Sequence, residues 1–202
     1  MTELPITLPG LPSSLRWDTP PASWSLADDG ALTIAAGPRT DLFVDPQGSA
    51  ATLNAPRLLF APQGDYLLSA RVTVEFAGTF DAGVLLLYAS ERAWAKLCFE
   101  YSPQGQPMIV SVVTRGFSDD ANAFTVEGSQ VFLRVARLGQ AFAFHASTDG
   151  AFWHFIRHFT LDDAGPIAAG FEAQSPTGAG CAATFADIRY TPGRLGDLRS
   201  GE

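Results

Sequence analysis

Two neighbouring segments carry most of the side chains that could do chemistry. Trp94-Ala-Lys-Leu-Cys-Phe-Glu-Tyr101 puts Trp94, Lys96, Cys98 and Glu100 on one face of an extended strand, with Ala95, Leu97, Phe99 and Tyr101 on the other. Ser111-Val-Val-Thr-Arg-Gly-Phe-Ser-Asp119 follows after a short turn and adds Ser111 and Arg115. An aromatic ring with a few fixed polar groups is how binding sites hold sugars and small polar molecules. The candidate ligand-binding set is therefore Trp94, Lys96, Glu100, Ser111 and Arg115. The competing reading is that Trp94 packs under a loop and Lys96 is merely solvated.

Other chemistries find less support. Retaining glycosidases need two carboxyls about 5 Å apart, and no strand carries Glu-x-Asp-x-x-Glu. The acid pairs Asp28-Asp29, Asp119-Asp120 and Asp162-Asp163 fall in predicted turns, where short carboxylates cap backbone groups. No Gly-x-Ser-x-Gly elbow occurs, and His145, His154 and His158 share one meander without a matched nucleophile. His154 and His158 stand about 13 Å apart on a strand, too far for one metal ion. Calcium stays open, because lectin-like sandwiches sometimes carry one. No catalytic residues, metal ligands or cofactor are assigned, and whether the chain is an enzyme is left open, leaning against.

The elements that position these residues are strands. Tyr66–Phe76 alternates with period two, and Gly83–Ala89 is apolar on both faces, which predicts a central strand covered on both sides. Ala93–Tyr101, Pro107–Arg115, Val131–Arg137, Ala141–Ser147, Phe152–Phe159, Ile167–Gln174 and Cys181–Tyr190 read as further strands. Ser23–Leu26 and Ala31–Ala35 form a hairpin around Asp28-Asp29-Gly30, and Thr40–Val44 is another strand. About a dozen strands predict an all-β, two-sheet antiparallel β-sandwich. The pattern leaves room for one helical turn near Asp120–Asn122 and supports no larger helix. Leu68, Val72, Val74, Leu97, Phe99, Val135 and Phe185 should be buried. Taking Pro103–Gln106 as a four-residue loop pairs Trp94 with Arg115 and Cys98 with Ser111, so that Arg115 would lie on the Trp94 ring.

Length and composition fit one domain over residues 1–202, with a proline-rich lead-in at 1–22 and a frayed tail at 191–202. A net charge of -8 disfavours nucleic acid and anionic membrane surfaces as partners. The start of the chain has neither a basic n-region nor an apolar h-region, so a secretory leader is not expected, and a cytoplasmic location is. Cys98 and Cys181 are accordingly expected as reduced thiols.

Several pieces in order resemble the regulation-of-enolase family, a group of domains of unknown function with a concanavalin A-like lectin/glucanase fold. They are Trp17 with Trp24, Thr40-Asp41-Leu42-Phe43, Gly83–Leu87, Trp94-x-Lys96 with Glu100, Ser111–Thr114, Phe117-Ser118-Asp119, Ser147-x-Asp149-Gly150-x-x-Trp153 and Phe185-x-Asp187. The chain departs from that pattern after Thr40-Asp41 and after Ser118-Asp119, where Leu42-Phe43 and Asp120 stand in place of an aromatic, usually tryptophan. The resemblance implies a jelly roll with a concave face and no settled activity. The expected role is a non-catalytic, lectin-like domain binding carbohydrate or a small polar ligand on that face. The alternatives are a protein-interaction module regulating a metabolic enzyme and, further off, a glycosidase or lyase.

Overall fold

The computed structural model describes residues 5–161 and 165–202, which hold sixteen strands and no helix. The Asp162-Asp163 pair and the first four residues lie outside the described residues. The chain opens with β1 (Arg16–Thr19), β2 (Ser23–Leu26) and β3 (Leu32–Ala36); β2 and β3 form the hairpin expected around Gly30. β4 (Leu42–Val44) and β5 (Ala51–Leu53) pair only with each other, and β6 (Arg57–Phe60) follows. The long strands come next: β7 (Tyr66–Val74), β8 (Ala82–Ser90), β9 (Ala93–Tyr101), β10 (Pro107–Arg115) and β11 (Phe117–Thr125). β12 (Gln130–Leu138), β13 (Ala141–Ser147) and β14 (His154–Thr160) form the meander, and β15 (Ala168–Gln174) and β16 (Cys181–Pro192) close the sandwich.

The first sheet runs β1-β6-β15-β8-β9-β10-β11 and the second β14-β13-β12-β7-β16-β3-β2, antiparallel throughout. Period-two alternation on β7, β9, β12 and β16 sends Leu68, Val72, Val74, Leu97, Phe99, Val135 and Phe185 into one core between the sheets, and all seven are buried. β8 is apolar on both faces because both are covered: Leu85 and Leu87 face the second sheet, while Val84 and Leu86 face a separate cluster under the β4–β5 hairpin. Gly83 sits where β8 crosses the second sheet, and a Cβ there would lie 2.7 Å from the Val72 side chain.

Three expectations need correction. The β9–β10 loop holds three residues between its last paired positions, not four. Ser102 N–H donates to the Gln106 carbonyl (2.9 Å), and Gly105, with φ 73°, supplies the left-handed residue that closes such a loop. The register therefore moves by one, pairing Trp94 with Thr114, Cys98 with Val110, Ser111 with Leu97 and Arg115 with Ala93. Asp120–Asn122 lies within β11 instead of forming a helical turn, because its backbone pairs with β10. The tail is held down rather than frayed: Arg134 donates to the Gly201 carbonyl (2.7 Å), and Arg199 lies over the Phe155 ring. His145 Nε2 also bonds the Leu198 carbonyl (2.8 Å).

Candidate functional site

Antiparallel pairing across the middle of the first sheet aligns its outward side chains in rows. One row is Gln174–Ala82–Glu100–Met108, the next Glu172–Val84–Cys98–Val110, and the third Gly170–Leu86–Lys96–Val112. The fourth, Ala168–Tyr88–Trp94–Thr114, ends under cover. The β4–β5 hairpin lies over this face: Leu42 and Ala55 pack with Val84, Leu86, Trp94, Cys98, Val110 and Val112 in a second apolar cluster. Val44 N–H donates to Ser118 Oγ on β11 (2.9 Å), and Ser118 Oγ bonds Thr114 Oγ1 (2.9 Å). Beside this cover an open cleft of about 180 Å³ remains, lined by Asp41, Phe43, Phe80, Lys96, Glu100, Val110, Val112, Asp120 and Gln174.

Lys96 organises the floor of the cleft. Only 1% exposed, its Nζ donates to Gln174 Oε1 (2.7 Å) and Asp41 Oδ1 (3.1 Å). Burial works against its charge, but the carboxylates of Asp41 and Glu172 outweigh that and raise its pKa above the usual lysine value. Among the described residues two of its three N–H donors are thus spent, and one is left over. Gln174 passes the connection on, its Nε2 donating to the Phe80 carbonyl (3.1 Å). Phe80 N–H in turn donates to the Tyr101 carbonyl (2.7 Å). Phe80 itself is strained, with φ 69°, a backbone region that bulky residues avoid. The result is an exposed aromatic ring fixed at the cleft by hydrogen bonds on both sides of its backbone.

Burial pushes the Glu100 carboxyl up to about 8, with Lys96 countering only part of the effect. Near neutral pH Glu100 is therefore mostly protonated and offers both a donor and an acceptor. Glu172, one row back and fully buried, is pushed up to about 7 by the same desolvation, and neither carboxyl oxygen has a hydrogen-bond partner among the described residues. With Lys96 paired to Asp41 and Glu100 neutral, the inner cleft carries little net charge. Asp120, exposed on β11, supplies a carboxylate at its edge.

The five residues singled out from the sequence separate. Lys96 and Glu100 line the cleft. Trp94 is fully buried beneath the hairpin, its indole N–H without a partner among the described residues, so it packs under a loop. Ser111 turns to the other side of the sheet, where Arg157 Nη1 approaches its hydroxyl at 3.5 Å. Arg115 donates to the Thr160 carbonyl (3.1 and 3.3 Å) and does not stack on Trp94. The one-residue register change is the reason, since it exchanges the faces of β10 relative to β9. Cys98 and Cys181 are free thiols, both buried, and burial raises the pKa of each, Cys181 to about 12.

The sequence reading missed Phe80, Gln174, Glu172 and the role of Asp41. Glu172 and Gln174 were signalled by period two: in Ala-Ala-Gly-Phe-Glu-Ala-Gln they are the two polar residues on one face. Asp41 lies inside a segment already noted for its family resemblance. Nothing local marks Phe80, whose backbone conformation is set by Gln174 and Tyr101.

Comparison with known proteins fits this architecture. The family described as "Protein of unknown function (DUF1349)" matches residues 17–193. No curated protein matches. Among solved structures, a functionally unknown protein from Saccharomyces cerevisiae superposes with TM-score 0.81 at 21% identity, covering 90% of this chain and 97% of that one. The GH43 protein BlXynB (K247S mutant) from Bacillus licheniformis gives 0.71 at 21% identity, over 87% of this chain and 36% of that one, so this chain spans about a third of it. Carbohydrate binding module CBM66 from Bacillus subtilis gives 0.57 at 11% identity, over 86% and 94%. At these identities the likeness is one of fold.

Proposed function

The chain belongs to this family of unknown function, and we propose that it is a non-catalytic binding domain whose first-sheet cleft takes a single neutral sugar ring or a similarly small polyhydroxyl ligand. The observation that carries this is Phe80. A bulky residue held at φ 69° costs on the order of 1–3 kcal/mol, and such strain gathers where a side chain must be aimed. Here the aim is an aromatic ring over a cleft with a spare Lys96 donor, a protonated Glu100 and the Asp120 carboxylate. Sugar hydroxyls need that mixture of donors and acceptors, and the ring suits the C–H face of a pyranose. A volume of about 180 Å³ falls below the roughly 300–1,000 Å³ of sites for drug-sized ligands, which favours one ring. The fold likeness to a carbohydrate binding module is in keeping with this reading.

One observation favours a second reading. Glu100, held protonated, and Asp120, exposed to water, line the same cleft, and carboxyls in such unlike environments are how glycosidases divide acid and base roles. The binding reading is preferred because Asp120 sits on an open edge strand and Glu172 is sealed from the cleft. A glycan array followed by calorimetry tests the proposal. Phe80→Ala is expected to cost roughly 1–3 kcal/mol of sugar affinity, as loss of a stacking aromatic does elsewhere. No binding to any neutral sugar, or equal binding by the variant, overturns it. Turnover of an aryl-glycoside panel that disappears in Glu100→Gln would install the second reading instead.

A further inference from the structure

The outward face of the second sheet carries its own cleft, of about 300 Å³, lined by Ser69, Phe132, Asp149, Gly150, Trp153, Asp187 and Arg189. It gathers two sequence motifs that the first cleft leaves unused, Ser147-x-Asp149-Gly150-x-x-Trp153 and Phe185-x-Asp187. The first motif is partly a turn device. Asp149 Oδ1 accepts the backbone N–H groups of Ala151 and Phe152 (both 2.8 Å), and this turn brings Trp153 round to the cleft.

The second motif acts on the aim of a neighbour. β16 pairs Ala186 with Arg71 but Arg189 with Ser69, so three residue steps on β16 match two on β7. Asp187, with φ 49°, sits within this β-bulge. Strict alternation from the buried Phe185 would send Arg189 inward and Ile188 out. The extra residue reverses this: Ile188 and Tyr190 pack against the core, and Arg189 faces out into the cleft. Bulges that re-aim a side chain are concentrated beside functional sites.

The charge around Ser69 differs from that of the whole molecule. Arg134 and Arg189 pair with Ser69 from the two sides, on β12 and β16. Arg71, two residues along β7, is neutralised by Asp187 (2.6 Å). Among the described residues neither Arg134 nor Arg189 has a carboxylate partner: Arg134 donates to the Gly201 carbonyl and lies 4.1 Å over the Trp153 ring. Of these two only Arg189 lines the cleft, where Asp149 adds one carboxylate; Arg134 is buried against Trp153. The cleft thus holds, among the described residues, one guanidinium without a carboxylate partner beside two aromatic rings, in a chain of net charge -8.

We propose that this second cleft binds a sugar acid, a ring carrying one carboxylate, with the carboxylate on Arg189 and the ring beside Trp153 and Phe132. The planar guanidinium matches a carboxylate with two parallel hydrogen bonds, and the aromatic walls suit the ring's C–H surface. Ser69 and the remaining oxygens of Asp149 and Asp187 take ring hydroxyls. The site stands apart from the first cleft, since it lies on the other sheet.

The test is an amide NMR titration of the whole chain with D-glucuronate and, separately, D-glucose. Glucuronate should bind at least about tenfold more tightly, with shifts at Ser69, Gly150, Trp153 and Arg189. Arg189→Ala should abolish that preference, Arg189→Lys should keep part of it, and Arg16→Ala, a remote exposed arginine, should change nothing. Equal affinity for the two sugars, shifts confined to the Lys96 cleft, or an unaltered preference in Arg189→Ala would overturn the assignment. Inorganic phosphate binding as tightly as glucuronate would also overturn it, because the ring would then contribute nothing.

Discussion

The outward faces of the two sheets treat charged residues in opposite ways. On the first sheet the β4–β5 hairpin covers Trp94, and Lys96 and Glu172 are almost fully buried, so among the described residues polar groups there are paired internally or left without partners. On the second sheet the Arg71–Asp187 pair keeps side chains 33% and 52% exposed, against 2% and 19% for Lys96–Asp41. Exposed pairs are screened by water and contribute little, whereas breaking a covered pair strands the partner left behind. The cover therefore turns ordinary residues into an organised floor. The same residue types left open keep their hydration and exchange it for a ligand's groups on binding.

This contrast can be broken by matched substitutions. Lys96→Met should destabilise the fold by about 3–5 kcal/mol, because Asp41 and Gln174 lose their buried donor. Arg71→Met should cost below about 1 kcal/mol. Urea denaturation of both variants checks the pair, and similar losses would show that the hairpin does not seal its face.

A second consequence is a pH dependence of stability carried by Glu172. Its carboxyl titrates near 4.5 when unfolded and near 7 when folded, so the folded state binds its proton more tightly. Its contribution is complete below about pH 4.5 and is lost as pH rises through about 7, a loss of roughly 3 kcal/mol. Glu100, raised to about 8, adds to the same trend. Asp45, Asp65 and Asp149, lowered by hydrogen bonds, act in the opposite sense, in a more acidic range. Melting curves from pH 4.5 to 8 should therefore flatten in Glu172→Gln; a slope identical to the parent's would contradict the burial argument.

The smallest expected effect separates binding from folding. Phe80→Gly relieves the left-handed strain but loses a half-exposed ring, so stability should stay within about 1 kcal/mol of the parent. Sugar affinity should still fall by roughly 1–3 kcal/mol. Parallel falls in both would make Phe80 a packing residue and no more.

Much of this fold was legible because most long strands bury one face and alternate. β7, β9, β12 and β16 announce their inward residues directly, and β8 announces burial on both sides. β11 was hidden because Phe117-Ser-Asp-Asp-Ala-Asn-Ala-Phe-Thr is an edge strand, mostly exposed, whose order comes from pairing with β10. Alternation also gave Trp94 its correct face but not its cover, which arrives from residues near 42–55 in the chain. The β9–β10 register turned on a single loop residue, and that was enough to remove Ser111 and Arg115 from the candidate site. The strain at Phe80 belongs to backbone contacts that no residue pattern encodes.

The central claim, that the first-sheet cleft is a neutral-sugar site built around Phe80, is tested most directly by a crystal structure of the chain soaked with the tightest neutral sugar from the array. The sugar should lie with its ring on Phe80 and its hydroxyls within hydrogen-bond distance of Lys96 Nζ and the Glu100 carboxyl. A sugar seated elsewhere on the molecule, with this cleft holding only water, would contradict the claim.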